Sequence, residues 1–124
     1  GIIRTGKLLQ EALKDLDELE TRAALTCPGG SRIYNPGWHQ ALELGAMIDV
    51  SRMCALAALE REESRGGHTR DDFPIPDHSH WGKVNSVISL SGDGSMKIEH
   101  RSYPPIDEEF KALLDADDLH EEEA

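Results

Sequence analysis

The chain has 124 residues, and its 24 Asp and Glu outnumber 13 Lys and Arg to give a formal net charge of −11. This length predicts a single domain. The acidity argues against nucleic-acid binding, because phosphate contacts need a basic protein face, and it argues equally against adhesion to anionic lipid.

Two helices are predicted in the first half of the chain. Residues 3–25 place apolar side chains at helical spacing, and their predicted buried stripe is Leu9, Leu13, Leu16 and Ala23. A proline and a glycine pair within residues 26–31 end this helix. Asn35 and Pro36 then supply an N-cap and a first-turn proline. The second helix is therefore predicted to run from Pro36 to about Glu63.

The second predicted helix contains the longest apolar stretch of the chain, residues 41–59. Its interruption by Glu43, Asp49 and Arg52 favours a buried helix and argues against direct membrane insertion. A helix that is apolar on most sides must also be covered on most sides. One amphipathic partner in a chain of this size gives too little cover, so we expect that a covering element is missing.

The periodicity changes in the last third of the chain. Residues 68–82 form an irregular polar segment, after which alternating apolar residues predict a β-hairpin at about 84–101 with an Asp-Gly turn. A proline pair stops the hairpin, Asp107 caps a short helix over residues 108–114, and the remainder is an acidic tail. The predicted fold is mainly α: a three-helix-bundle-like (spectrin-repeat-like) domain with a C-terminal β-hairpin.

The two cysteines, Cys27 and Cys54, lie far apart and form no CxxC pair, which is typical of reduced cytosolic thiols. Cys54 falls inside the apolar helix, where we expect it to pack as a small hydrophobic residue. The first residues contain no basic region that leads into an apolar run, so no signal peptide is predicted.

The densest charged cluster follows the second helix and spans residues 61–72, with three arginines, four acids and a histidine. In one interpretation it is a helix end, where Arg and His meet exposed carbonyls and a glycine forms the C-cap. In another it is an ion-paired surface that docks a partner, because bidentate Arg–carboxylate pairs fix orientation. A catalytic interpretation is less favoured, since no nucleophile is recognisably paired with a base.

Asp77, His78 and His80 are a candidate metal group. These residue types bind Zn²⁺, but a structural zinc site needs four ligands, usually in two separated pairs, so we predict no metal site. The two glycine-rich turns do not fit a phosphate-binding loop. The sequence therefore predicts no catalytic and no cofactor-binding residue in this chain.

Residues 55–81, which read ALAALEREESRGGHTRDDFPIPDHSHW, resemble the C-terminal helical domain of the succinate dehydrogenase and fumarate reductase flavoprotein family. That family typically shows Ala-Leu-x-Arg-x-Glu-Ser-Arg-Gly at a helix end, followed by His, Arg, acids, Pro and Trp. The first residues resemble the preceding helix of the family, so Gly1 is expected to be a native mid-domain residue. The matching positions are Ala58, Leu59, Arg61, Glu63, Ser64, Arg65, Gly66, His68, Arg70, Asp72, Pro74 and Trp81.

Some positions depart from the family pattern. Pro76, Asp77 and His78 stand where the family has Arg-Asp-Asp, and Val84-Asn85 stand where a histidine often follows the tryptophan. L-aspartate oxidase shares the helical domain and the Ser-Arg-Gly-x-His signature, and is the competing resemblance. The extension through the hairpin to Phe110 favours the dehydrogenase side.

The resemblance implies that residues 1–103 are the flavoprotein C-terminal helical domain and residues 104–124 a short helix and acidic tail. It implies a parent oxidoreductase that interconverts succinate and fumarate via FAD bound outside this fragment, which alone is inactive. The implied partners are upstream FAD-binding and capping domains and an iron–sulfur subunit, on the cytoplasmic face of the membrane.

The resemblance also offers a role for the charged cluster as an inter-domain or structural network. The residues of this predicted network are Arg61, Glu63, Ser64, Arg65, His68, Arg70 and Asp72. The alternative to a detached flavoprotein domain is a free-standing acidic helical module that binds other proteins.

Overall fold

The computed structural model describes residues 2–111 and 113, and combines two long helices with two small sheets. The elements in chain order are β1 (Ile3–Arg4), α1 (Gly6–Ala24), α2 (Pro36–Glu60), β2 (Thr69–Arg70), β3 (Val84–Leu90) and β4 (Met96–Ser102). β1 pairs with β2 in parallel, and β3 pairs with β4 in an antiparallel hairpin. The fold is therefore a mixture of helix and small sheet with a bundle-like helical part.

Helix α1 begins three residues later than the sequence predicted, because the chain before it is used as a strand. Ile3 and Arg4 pair with β2, and the Arg4 carbonyl accepts a hydrogen bond from the Asp71 amide at 2.9 Å. Thr5 is the N-cap, and its hydroxyl accepts from the Leu8 amide at 3.3 Å. The predicted stripe is confirmed: Leu9 is buried and the other three members are half-buried.

Helix α2 begins at Pro36 as predicted and ends at Glu60, before the predicted Glu63. Arg61 leaves the helical conformation with ψ of 97°, which turns the chain and carries the following residues away from the helix axis. The Asn35 side chain does not cap the helix. It donates instead to the Gly29 carbonyl at 3.0 Å and so ties down the loop between the helices.

The two helices run antiparallel, since the start of α1 lies beside the end of α2. A Cβ added at Gly6 would lie 3.9 Å from the Leu59 side chain. Leu9, Ile48 and Ala58 are buried along the helix pair. In the middle, Arg52 of α2 forms ion pairs with two acids of α1, Asp17 and Glu20.

No described residue covers the side of α2 that faces away from α1. This outer face of α2 consists of exposed apolar residues: Leu42, Ala46, Met47, Val50 and Cys54. The expectation that Cys54 packs as a small hydrophobic residue is therefore wrong in the described part of the chain, because α1 covers only the opposite side of the helix.

The predicted hairpin is confirmed, and β4 extends one residue further than expected, to Ser102. Its register runs from Val84 opposite Ser102 to Leu90 opposite Met96. The turn is closed by the Ser91 amide, which donates to the Ser95 carbonyl at 2.8 Å. Gly94 has a φ of +86°, a left-handed conformation that favours glycine.

Of the predicted third helix, the described part of the chain includes residues 108–111 and 113, which are helical. The Asp107 carbonyl accepts hydrogen bonds from the Phe110 and Lys111 amides, both at 3.0 Å. Phe110 and Leu113 are exposed, so this short segment does not extend the packed helix pair. Gly1, Ala112 and residues 114–124, including the predicted acidic tail, lie outside the described residues.

Neither long helix within residues 2–111 combines the length and apolar character that crossing a lipid bilayer requires.

Candidate functional site

The charged cluster is organised by a tight turn after α2. Arg65 and His68 exchange two backbone hydrogen bonds, at 2.8 and 3.0 Å. Gly66 lies inside this turn with a φ of +56°. The interpretation of the glycine as the C-cap of α2 is therefore wrong, since the C-cap is Arg61 and the glycine serves a later turn. The turn places charged side chains from both of its sides around Glu63.

Glu63 is the centre of the first half of the network. It is fully buried and accepts four hydrogen bonds, two at each carboxylate oxygen. Arg65 binds both oxygens in a bidentate pair with two distances of 3.0 Å. The remaining two donors are the Arg61 Nε at 2.8 Å and the Asp77 backbone amide at 2.7 Å. All the strong acceptor directions of this carboxylate are used by its own chain.

These hydrogen bonds keep Glu63 ionised although it is buried. The Arg65 guanidinium, reinforced by the Asp77 amide and Arg61, lowers the pKa of Glu63 from 4.5 to about 2. Burial alone would raise this pKa, because a low dielectric disfavours the charged form. The stabilising contacts of the carboxylate therefore outweigh its loss of water.

Arg70 and Asp72 form the second half of the network and join the ends of the two helices. Arg70 is 2% exposed, and its guanidinium binds Asp72 in a bidentate pair at 2.7 and 2.8 Å. Its Nη1 also donates to carbonyls at the end of α2, with distances of 2.9, 3.0 and 3.3 Å to Ala58, Leu59 and Arg61. The arginine thus satisfies helix-end acceptors that have no partner within the helix.

Asp72 binds the first turn of α1, just as Arg70 binds the last turn of α2. Its Oδ2 accepts a hydrogen bond from the Gly6 amide, the first residue of α1, at 2.7 Å. The Arg70 guanidinium beside it holds the pKa of the Asp72 carboxyl well below its usual range. A carboxylate at a helix N-terminus and a cation at a helix C-terminus are both favourable arrangements.

Ser64 and His68 connect the network to the backbone. The Ser64 hydroxyl accepts from the Arg70 amide at 2.9 Å and lies 2.9 Å from the Phe73 carbonyl, to which it donates. His68 places Nε2 at 3.1 Å from the Arg61 carbonyl and Nδ1 at 3.1 Å from an Arg4 guanidinium nitrogen. This arrangement fits the tautomer with its proton on Nε2, which donates while Nδ1 accepts.

All seven residues of the network predicted from the sequence therefore lie together. The sequence missed the contribution of Trp81, which is buried beside the network. Its carbonyl accepts from Arg61 Nη2 at 2.8 Å, and the Arg61 guanidinium lies 5.3 Å from its ring centre. The ring contacts His100 of β4 edge-on at 4.7 Å, and His100 lies 3.4 Å from Glu60. Trp81 thus links the hairpin to the end of α2.

Asp77, His78 and His80 do not converge as metal ligands. Asp77 Oδ1 accepts from the Ser79 hydroxyl and from the Ser79 and His80 amides, at 2.6 to 3.0 Å. These contacts, led by the Ser79 hydroxyl, lower the pKa of Asp77. The His80 ring packs edge-on against Trp81. Across residues 2–111 and 113, no three His, Cys, Asp or Glu side chains are grouped to hold a metal ion.

The glycine-rich turns do not fit a flavin nucleotide. Gly29 and Gly30 lie in the loop between two helices, and Gly92 and Gly94 lie in the hairpin turn. A dinucleotide phosphate loop needs a glycine-rich turn that leads from a strand into a helix. Within the described residues, the glycine-rich turns connect two helices or two antiparallel strands and therefore lack the strand-to-helix setting of such a loop.

The network connects separate parts of the fold through ion pairs and hydrogen bonds. Its two acids, Glu63 and Asp72, each accept a bidentate pair of hydrogen bonds from an arginine, and none of the contacts seen among the described residues pairs either acid with a nucleophile. Its contacts reach the end of α2, the start of α1 and the backbone around Trp81.

Comparison with known proteins gives the same family as the motif. Residues 1–112 match the family described as "Fumarate reductase flavoprotein C-term". This chain belongs to that family. The resemblance carried by residues 55–81 is thereby confirmed, and the chain matches the C-terminal part of flavoprotein subunits of oxidoreductases.

Individual relatives agree with the family match. A fumarate reductase flavoprotein subunit from Mycobacterium tuberculosis is 34% identical over 99 residues, 79% of this chain and 17% of the relative. A succinate dehydrogenase flavoprotein subunit from Coxiella burnetii is 32% identical over 116 residues, 91% of this chain and 18% of the relative. A solved structure of Mycobacterium smegmatis Sdh1 in complex with UQ1 is similar with a TM-score of 0.78 and 42% identity, covering 85% of this chain and 18% of that one.

The chain spans less than a fifth of the length of these relatives. The part that it matches contains the helix pair, the charged network and the hairpin.

Proposed function

We propose that this chain is the C-terminal part of a flavoprotein subunit that interconverts succinate and fumarate through FAD. The observation that carries the proposal is the family match over residues 1–112. Its relatives include fumarate reductase and succinate dehydrogenase flavoprotein subunits, which supports the same reaction in its two directions.

In this proposal FAD and the substrate are bound by upstream FAD-binding and capping domains. The described residues support this division, because their glycine turns do not fit a phosphate loop and the buried acid Glu63 is fully paired within the chain. When bound, FAD supplies the electron acceptor or donor for the reaction. The further partner in the proposal is an iron–sulfur subunit, and the parent complex places the protein at the cytoplasmic face of a membrane.

The role that we propose for the seven-residue network is structural. Glu63 and Arg70 are enclosed by their own chain, so neither reaches outward to another domain or to a substrate. Their contacts instead hold α1, α2 and the Trp81 loop in one arrangement. Arg61, Arg65 and Asp72 keep partial exposure, with side chains 21%, 34% and 34% accessible, and form the rim of the network.

We also propose the domain division and the third helix expected from the sequence. In this arrangement residues 1–103 form the helical domain with its hairpin, and residues 104–124 form a short helix and an acidic extension. The exposed apolar sides of the helix pair support a three-helix arrangement that is complete only in the parent protein.

The proposed reaction is tested on the full-length protein encoded by the parent gene. We expect it to purify with a flavin absorption spectrum, and to reduce an artificial electron acceptor with succinate or oxidise a reduced dye with fumarate. L-aspartate is the discriminating control substrate, because L-aspartate oxidase is the competing resemblance. A protein that carries no flavin, or that oxidises L-aspartate and not succinate, contradicts the proposal.

The structural role is tested by Arg65→Ala in the same full-length protein. This variant removes the bidentate partner of Glu63, and we expect a lower melting temperature or poorer assembly with the iron–sulfur subunit. Arg101→Ala is the control, since Arg101 is exposed on the hairpin. Unchanged melting and unchanged assembly in Arg65→Ala would overturn the structural role.

A further inference from the structure

The β-hairpin meets the end of α2 at its base. There His100 of β4 packs edge-on against Trp81, with ring centres 4.7 Å apart, and its Nε2 lies 3.4 Å from a carboxylate oxygen of Glu60, the last residue of α2. Toward the tip, a groove of about 670 Å³ opens between the strands and the helices, with Leu90 on one side and Leu56 on the other. The contacts at the base therefore hold the hairpin against α2.

The described residues of the hairpin place no charge beside His100. The residue opposite it on β3 is Ser86, and Glu99 and Arg101 of β4 point to the other face, because successive side chains of a strand alternate. The Ser86 hydroxyl oxygen is buried and has no hydrogen-bond partner among the described residues. A hydroxyl can bond either form of an imidazole, so Ser86 does not select a protonation state. Groups outside the hairpin decide the effect of a charge on His100.

Three charged or titratable side chains from the described elements packed against the hairpin surround His100, and they act in opposite directions. The Glu60 carboxylate, at 3.4 Å, attracts a protonated imidazole. The Arg61 guanidinium repels it, but Arg61 is already paired with Glu63 at 2.8 Å. His80 repels it only when it is protonated as well, and its ring centre lies 5.4 Å away. Because the Coulomb interaction weakens with distance, the attraction of Glu60 prevails.

We propose that the hairpin is attached to the end of α2 by a pH-sensitive contact, in which protonation of His100 strengthens its pairing with Glu60. Histidine is the side chain that ordinarily changes its charge between about pH 5 and 8, whereas glutamate ordinarily stays ionised above about pH 5. The attraction is therefore present at mildly acidic pH and is lost as the pH rises through the histidine range. The hairpin then opens more often from the helix pair, whatever reaction the parent protein catalyses.

The size of the effect follows from the partial exposure of the two partners. The side chains of His100 and Glu60 are 27% and 40% exposed, so water screens their attraction. Ion pairs of this kind change an equilibrium constant only a few-fold, and we expect about a threefold change in the opening equilibrium of the hairpin. High salt should reduce the change further, because exposed charges are screened.

Amide hydrogen exchange in the full-length flavoprotein, followed by mass spectrometry, measures this opening. Peptides that cover β3 and β4 are compared at about pH 5.5 and about pH 8. Each rate is divided by the rate of the unfolded chain at the same pH, which removes the intrinsic pH dependence of exchange. We expect the protection of the hairpin to fall about threefold at the higher pH, while peptides of α1 keep theirs. Equal protection of the hairpin at both pH values overturns the proposal.

His100→Gln removes the titrating group and keeps a polar side chain. Hairpin protection in this variant should be the same at both pH values. His39→Gln is the matched control, because it makes the same change at an exposed position near the start of α2, and it should keep the pH dependence of the unsubstituted protein. A dependence that survives in His100→Gln assigns the effect to another group and contradicts the role of His100.

Two further variants test the partners and do not rely on the folding of His100→Gln. Glu60→Gln leaves His100 able to titrate but removes the attracting charge, so the pH dependence should disappear. Glu62→Gln, at an exposed position two residues later, is its control and should keep it. His80→Gln should also keep it. Retention of the dependence in Glu60→Gln, or its loss in His80→Gln, overturns the proposed contact.

Discussion

The charged network after α2 and the outer face of α2 lie close together in the chain, but they differ in which side chains are buried. The network brings charged side chains inside and satisfies them with neighbours from its own segment, so Glu63 and Arg70 are fully enclosed. The outer face keeps apolar side chains such as Leu42 and Val50 outside, where the described chain provides nothing to cover them.

This difference separates self-sufficient structure from structure that needs a partner. Ionised groups must be paired wherever they are buried, so the network has to be completed locally. Exposed apolar surface has only a moderate free-energy cost per unit of area, so it can remain exposed until a partner covers it. Substitutions in the network should therefore act on the fold itself, and substitutions elsewhere in the helix pair should act less.

The most damaging single change to the network should be Glu63→Gln. It removes the buried negative charge that Arg61 and Arg65 share, and breaking such a pair costs about 4 kcal/mol of unfolding free energy. Urea unfolding followed by tryptophan fluorescence measures the loss, since Trp81 lies against the network. Glu62→Gln makes the same chemical change at an exposed neighbour and should cost less than about 0.5 kcal/mol. Equal losses in the two variants would remove the special status of Glu63.

Arg70→Met should cause the next largest loss of unfolding free energy after Glu63→Gln. The variant keeps an unbranched apolar stem but leaves the carbonyls at the end of α2 and the Asp72 carboxylate without their donor. We expect a loss of about 3 kcal/mol in unfolding free energy, together with fraying of the last turn of α2 in amide hydrogen exchange. Arg101→Met, on the exposed hairpin surface, is the control. Unchanged exchange at the end of α2 contradicts the capping role of Arg70.

Acid should weaken the network in a defined pH window. The pKa of Glu63 is lowered from 4.5 in the unfolded chain to about 2 in the folded chain, so its contribution is complete above about pH 4.5 and is lost as the pH falls through about 2. The Asp72 pKa is lowered as well, by Arg70. The difference in urea midpoint between the unsubstituted protein and its Glu63→Gln variant should therefore shrink as the pH falls through this window. A constant difference would show that Glu63 is not ionised in the folded state.

Gly82→Ala tests the close packing around the network without changing the charge of any residue. A Cβ at this position would lie 3.0 Å from the Cα and carbonyl oxygen of His78 and 3.3 Å from the Arg65 guanidinium. Because backbone atoms cannot move aside cheaply, we expect a loss of about 2 kcal/mol in unfolding free energy. Gly67→Ala, where nothing lies within 4 Å, is the control in the same segment. Equal effects would mean that the loop around His78 relaxes freely.

The smallest effect is expected at Arg52, in the middle of the helix pair. Its side chain is 18% exposed, but its partners Asp17 and Glu20 are 67% and 64% exposed and keep their water when the arginine is lost. We expect Arg52→Met to cost about 1 kcal/mol, with a smaller loss at high salt because exposed charges are screened. A loss as large as that of Glu63→Gln would break the distinction between enclosed and exposed ion pairs.

Local signals in the sequence predicted the helices and the hairpin well. Proline after Asn35 marked the start of α2, the leucine spacing marked α1, and alternation around an Asp-Gly turn marked β3 and β4. The seven network residues could be singled out because the family motif holds them together, and they do lie together in space. Local physical patterns alone left the helix-end and docking interpretations open.

The features that the sequence did not predict depend on long-range contacts. The two-residue strands β1 and β2 are too short to show alternation, and their pairing joins residues about 66 positions apart. The backbone atoms of Asp77 and Trp81 that serve Glu63 and Arg61 carry no residue-specific signal. The sequence predicts the end of α2 three residues too late, because charged residues with good helix propensity continue past Glu60. Cys54 is exposed because α1 covers the opposite side of α2, and the local sequence does not indicate which side is covered.

The pairing of Ile3–Arg4 with Thr69–Arg70 has a consequence for the order of folding. These strands and the Gly6–Asp72 hydrogen bond close a loop that contains both long helices, and closing a long flexible loop is entropically costly. We expect the helical hairpin to form first and shorten this loop, so that the strand pairing and the Arg70–Asp72 bridge form after the transition state. Substitutions there should accelerate unfolding and leave the refolding rate almost unchanged. The contacts of the family motif would then determine the unfolding rate, and with it the lifetime of the folded domain.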